Sequence, residues 1–132
     1  ILRDRENPYI LAGDLNNTSP EDSYNQEVVT KAFSRFTSGA ENAVEDMLRG
    51  LPVKTLLDAK LIDTYKAKHN KKGDWHYTVP TDFISKHKDS GIRIDYIFCS
   101  EEFKVLDSGV LVNGLTQKAS DHFPVYATLS LK

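Results

Sequence analysis

A chain of 132 residues is the size of one compact domain, and 39% hydrophobic with 27% charged residues is ordinary for a globular fold. No apolar run approaches the roughly 20 residues that cross a bilayer. A formal net charge of −2 argues against a broad electrostatic grip on nucleic acid. The lone cysteine, Cys99, excludes an internal disulfide and lies in the apolar run Tyr96-Ile97-Phe98-Cys99, the setting of a small core residue. The chain starts at Ile1 without an initiator Met, as expected after processing or trimming, so no targeting signal is read from it.

Residues 9–13 form a short apolar run between turn signals, which predicts a fully buried strand. Residues 16–22 are rich in turn formers. Ser23 is then the expected cap of a helix with Val28, Val29, Ala32, Phe33 and Phe36 at helical spacing. A second helix is expected over 41–49, closed by Gly50 at C′, and a third from about Pro52 with Leu56, Leu57, Leu61 and Ile62 as its buried stripe. Residues 75–79, 92–99, 103–112 and 124–131 are β-rich. In the last of these Val125, Ala127, Leu129 and Leu131 alternate with polar or exposed types, as in a sheet with one buried face. Loops are expected over 70–73 and 86–91. Strand, helices, then a meander of strands predicts a sheet flanked by helices, in the mixed α/β or α+β class. Positive charge gathers at Lys66, Lys68, His69, Lys71 and Lys72 and again at Lys86-His87-Lys88. These are either solvated loops or a basic rim that draws in a phosphorylated substrate.

Three polar islands adjoin strand-like runs: Gly13-Asp14-Leu15-Asn16, Arg93-Ile94-Asp95-Tyr96-Ile97 and Ser120-Asp121-His122. Such junctions place acids, amides and imidazoles at a sheet rim, where rigid elements can hold catalytic groups. Hydrolysis of a phosphodiester needs positive charge on the phosphoryl oxygens and a group that orients or deprotonates water. Aspartate oxygens suit Mg²⁺ or Mn²⁺, and no Cys/His cluster offers a zinc site. Asp14 could orient water and Asn16 could donate to a phosphate oxygen, since alternate residues of an extended segment face the same way. His122 is the strongest acid/base or phosphate-contact candidate, with Asp95 as the carboxylate that fixes its tautomer. Asp121 is left to meet a metal or its water. The plainer alternatives are turn chemistry at Asp14 and Asn16, an Asp95–Arg93 salt bridge, and a polar turn at Asp121-His122. Trp75, His76 and Tyr77 could stack on a base or sugar, or simply fill core.

Taken together and in this order, the islands resemble the motifs of the endonuclease/exonuclease/phosphatase superfamily. Its members include DNase I, the exonuclease III type of abasic-site endonucleases, neutral sphingomyelinases and inositol-polyphosphate 5-phosphatases. Residues 13–16 are similar to its Gly-Asp-(Phe/Leu)-Asn motif, 93–97 to its Arg-(Ile/Leu)-Asp-(Tyr/Trp)-(Ile/Val) strand, and 120–125 to its closing Ser-Asp-His-x-Pro-Val motif. Trp75 resembles the aromatic that often precedes the second motif.

The resemblance implies a metal-dependent phosphoester hydrolase with Mg²⁺ or Mn²⁺ as cofactor. In that scheme Asp14 activates water, Asn16 contacts the scissile phosphate and Asp95 hydrogen-bonds His122. His122 stabilises the pentavalent phosphate, and Asp121, with Asp14 and Asn16, serves the metal region. Arg93 is then structural. The implied substrate is a phosphoester, with nucleic acid, sphingolipid headgroup and inositol phosphate all open.

The superfamily fold is a DNase I-like four-layer α/β sandwich, mostly antiparallel, built from two halves, the first supplying a metal-binding Glu. Only seven residues precede Pro8, and none suits that role. Residues 1–132 are therefore expected to be the C-terminal portion of one such domain. Its exposed sheet face would be covered by the missing N-terminal half or by self-association, and the fragment alone would be inactive. A non-catalytic scaffold or interaction domain that retains the fold is the competing reading.

Overall fold

The computed structural model describes residues 7–35, 38–70, 77–82 and 90–132. In chain order these form β1 (Ile10–Asp14), α1 (Gln26–Phe33), α2 (Ala40–Arg49), α3 (Leu51–Asp58), β2 (Ile62–Asp63), β3 (Asp95–Cys99), β4 (Phe103–Val110), α4 (Thr116–Ala119) and β5 (Val125–Leu131). No helix among the described residues is long and apolar enough to cross a membrane.

Strand β3 organises the fold, since its aromatic and β-branched residues suit a pleated surface covered on both sides. Tyr96, Phe98 and Cys99 are all buried. It is the centre of a three-stranded antiparallel sheet in the order β1-β3-β2, with Ile10 opposite Cys99 and Asp14 opposite Asp95. The short β2 reaches only Phe98 and Cys99. Strands β4 and β5 make a separate antiparallel pair that packs on the first sheet, where Thr64 Oγ1 and Ser108 Oγ lie 3.0 Å apart. Helices α1 and α2 cover the start of β3 through Val29, Val44, Met47, Ile92 and Ile94, while Val53 of α3 joins Leu61, Tyr96 and Phe98. Antiparallel sheets with flanking helices place the described residues in the α+β class, as expected.

Several expected details differ. Strand β1 is not fully buried: it is an edge strand, with Ile10 53% exposed and Ala12, Gly13 and Asp14 also open. Asn25, not Ser23, caps α1, its Oδ1 accepting the Val28 N–H at 3.2 Å. The third helix stops at Asp58, Lys60 turns the chain at φ +66°, and Ile62 opens β2 instead of continuing a helical stripe. Of the strand expected over 75–79, Trp75 and His76 lie outside the described residues and Val79 makes an isolated bridge to Ile92, while Leu131 is exposed at the end of β5. Phe36, Lys71, Lys72 and Lys86-His87-Lys88 lie outside the described residues.

Gly50 does close α2, at φ +65°. A Cβ there would stand 2.4 Å from the Thr18 carbonyl oxygen, whose own N–H is tied to Met47 O. Gly50→Ala should therefore cost about 2 kcal/mol or more, from the left-handed backbone and the displaced turn together. The midpoint of urea unfolding reads this, and an unchanged midpoint would show that the turn yields freely.

The second buried feature is ionic. Arg93, 1% exposed, places Nε 3.1 Å from Asp22 Oδ2 and Nη2 2.8 Å from Asp63 Oδ2, and Lys66 Nζ lies 2.6 Å from Asp22 Oδ1. The guanidinium stands 4.5 Å from the Tyr96 ring centre and 5.0 Å from that of Tyr65. Burial alone would lower the Arg93 pKa, but the Asp63 and Asp22 carboxylates more than offset it, and the net shift is upward. Burial pushes the Tyr24 and Tyr96 phenols far above their usual range. Both serve as neutral hydroxyls here, Tyr24 donating to Asp22 Oδ2 and Tyr96 to Arg93 O. The partners of Arg93 are thus Asp22 and Asp63, and the Arg93–Asp95 salt bridge does not form.

Candidate active site

The ladder between β1 and β3 brings two carboxylates face to face. Leu15 N–H donates to Ile94 O at 2.9 Å, a backbone bond that flanks the Asp14–Asp95 pair on its outer side. That pair is directly opposed across the ladder, which brings its side chains within reach of each other. Just beyond it the chain leaves the sheet. Asn16 adopts φ +50° and its N–H donates to Asp14 Oδ1 at 2.8 Å, a local turn that holds that carboxylate still.

Like charges opposite one another across a ladder repel and call for a positive or hydrogen-donating neighbour. His122 supplies one. Its Nδ1 lies 2.8 Å from Asp95 Oδ2, with 27% and 16% of the two side chains exposed. An ionised carboxylate only accepts, so Nδ1–H donates and Nε2 remains for chemistry. Ligand atoms of Asp14, Asp95 and His122 all fall within 4.8 Å of one another.

The loop that presents His122 is tied down at several points. His122 N–H donates to Ser120 Oγ, Thr81 N–H to Asp121 O at 3.1 Å, and Phe123 N–H to Thr78 O at 2.8 Å. The buried Phe123 ring, 5.9 Å from that of Tyr77, anchors the downstream side.

Of the residues singled out in the sequence, Asp14, Asp95 and His122 thus gather at one end of the sheet, and Asn16 sits exposed beside Asp14. Asp121 does not join the group: it is exposed, with Oδ1 accepting from Ser120 Oγ. Trp75 and His76 lie outside the described residues. Tyr77 is half-buried against Phe123, and its phenol is pushed up by burial and then by Asp82. Sequence reasoning missed Thr78 and Thr81, which hold the histidine loop. A threonine in a β-rich stretch looks like any strand former, so nothing in its letter marked them.

Over residues 1–122 the chain matches the model of the endonuclease/exonuclease/phosphatase family. The chain belongs to that family. No curated protein matches it. Endonuclease/exonuclease/phosphatase proteins form a phosphoesterase- and nuclease-like superfamily that is generally hydrolytic and typically depends on a divalent metal. The donors suit such an ion. Asp14, Asp95 and His122 form a possible site for a metal ion, and its two carboxylates suit a divalent cation that takes oxygen donors.

Proposed function

We propose that residues 1–132 are the C-terminal portion of a Mg²⁺- or Mn²⁺-dependent phosphoester hydrolase, and that water attacks phosphorus at the Asp14–Asp95–His122 cluster. The observation that supports this reading best is the 2.8 Å His122–Asp95 pair beside Asp14, in a chain of this family. Asp14 would orient the attacking water and, with Asn16 beside it, face the metal. Asn16 would donate to a phosphoryl oxygen. Asp95 holds the imidazole so that Nε2 faces the phosphate and stabilises the charge that develops there. A divalent ion, when bound, would neutralise phosphoryl charge and lower the pKa of water. Asp121 would act at the edge of that region through its exposed carboxylate.

The open face of β1 supports the reading that an earlier segment completes the domain. Among the described residues β1 is an outer strand, exposed at Ile10 and Ala12, and such an edge invites pairing. The metal-binding glutamate would come from that segment. The substrate is proposed only as a phosphoester, whether nucleic acid, sphingolipid headgroup or inositol phosphate.

The test uses the full-length natural chain with bis(4-nitrophenyl) phosphate and 4-nitrophenyl phosphate. Turnover should require added Mg²⁺ or Mn²⁺, vanish with EDTA, and fall at least about 100-fold in Asp14→Ala. Residues 1–132 alone should show none. Metal-independent turnover would overturn the cofactor assignment, and full activity of residues 1–132 would overturn the need for an earlier half. Absence of turnover from every phosphoester in a panel of the three substrate classes would favour the scaffold reading.

A further inference from the structure

Strand β2 pairs with β3 only at Phe98 and Cys99, so among the described residues no strand pairs with Ile94 or Asp95 on the side away from β1. Their N–H groups still need an acceptor, because an unpaired buried amide is costly. Both find the same one: Ile94 N–H reaches Thr78 Oγ1 at 3.0 Å and Asp95 N–H reaches it at 3.3 Å. Thr78 is fully buried. Its carbonyl accepts the N–H of Phe123, the residue after His122, at 2.8 Å. One residue therefore grips the backbone on both sides of the Asp95–His122 hydrogen bond. Three positions on, Thr81 secures the other flank, its N–H donating to Asp121 O and its hydroxyl to Ser120 O.

We propose that Thr78 is a positioning residue for the Asp95–His122 pair: its hydroxyl fixes Asp95, its carbonyl fixes the histidine loop, and together they set the separation of the two side chains. This rests on the hydrolase reading above. Thr78 touches no reacting group, and the effect runs through geometry alone. Displacement of a catalytic group by about 1 Å costs on the order of 100-fold in rate. Loss of the shared acceptor frees the first residue of β3 to move by that order.

The test is kinetic, on the full-length chain with bis(4-nitrophenyl) phosphate and Mg²⁺. Thr78→Val keeps the shape and removes the acceptor. Its kcat should fall about 30- to 100-fold while KM changes less than about 3-fold. Thr78→Ser restores the hydroxyl and should recover activity to within about 5-fold of the natural chain. In a His122→Ala background, Thr78→Val should cost less than about 3-fold further, because a device that acts through His122 has nothing left to position. Circular dichroism and thermal unfolding confirm that each variant folds; Thr78→Ala takes the place of Thr78→Val if the latter does not.

Full kcat in the variant lacking the hydroxyl would overturn the proposal. So would a loss confined to KM, failure of Ser to rescue, or an undiminished loss in the His122→Ala background, which would signal general damage. Failure of the hydrolase reading looks different: His122→Ala itself would leave turnover intact.

Discussion

His122→Ala in the full-length chain should lower phosphoester turnover by about three to four orders of magnitude, the upper end of what one positioned acid/base or charge-stabilising group supplies. The expectation follows from the place of the imidazole. Nδ1 is committed to Asp95 at 2.8 Å, the ring is 27% exposed, and Asp14 lies in the same small cluster. Removal of the ring takes away the outward-facing nitrogen without emptying a core site. The Asp95 carboxylate loses a partner, but it is partly open and water can take the place of Nδ1. Stability should therefore change by no more than about 1 kcal/mol, as for other partly solvated ion pairs. Asp95→Ala should cost less activity than His122→Ala, because the imidazole survives it and loses only its orientation. Steady-state rates beside thermal unfolding curves separate the two effects. A His122→Ala enzyme with intact kcat and a collapsed unfolding midpoint would recast His122 as a structural residue of the loop.

The sequence made the members of the cluster visible for a physical reason that did not extend to their supports. A carboxylate or imidazole at the edge of an apolar strand-like run is expensive unless it serves a purpose, so Asp14, Asp95 and His122 stand out in the letters. Antiparallel pairing then made Asp14 and Asp95 neighbours although 80 positions separate them, a register that no local pattern reveals. Asp121 parted from His122 because adjacent side chains need not share a direction, and its carboxylate turned to Ser120. Elements with their own periodicity or punctuation were readable: α2 ends at Gly50 and β5 alternates through Leu129. The two-residue β2 was hidden, since a strand so short carries no period and exists only because β3 offers an edge. The cap of α1 moved from Ser23 to Asn25 because both residues are good caps and only packing chooses between them. The alternative partner that the sequence offers Arg93 is its nearest acid, Asp95, whereas the fold supplies Asp22 and Asp63 from far away in the chain.

That buried ionic group carries the second large effect, on stability. Arg93→Met should destabilise the domain by about 3–5 kcal/mol, the range seen when one partner of a buried ion pair is removed. Asp22 and Asp63 are as buried as Arg93, with side chains 0% and 3% exposed. Without the guanidinium, Lys66 remains to balance two carboxylates, and the facing Tyr65 and Tyr96 rings lose the cation between them. Domains of this kind hold only about 5–15 kcal/mol in reserve, so the unfolding midpoint in urea should fall by a large fraction of its value. Arg93→Lys should recover only part, since an ammonium lacks the planar fork that meets two carboxylates while lying between two rings. Replacing Arg93, Asp22 and Asp63 together with apolar residues of similar volume should be tolerated better than Arg93→Met alone, because the cost lies in the stranded charges. The effect on activity divides structure from chemistry at this position. Arg93 stands two residues before Asp95, but its ion pairs run to Asp22 and Asp63, so Arg93→Met assayed well below its melting temperature should keep most of its kcat. A variant that stays fully folded yet loses turnover would make Arg93 part of the site; one that unfolds early and works when cold confirms it as the pin beneath β3.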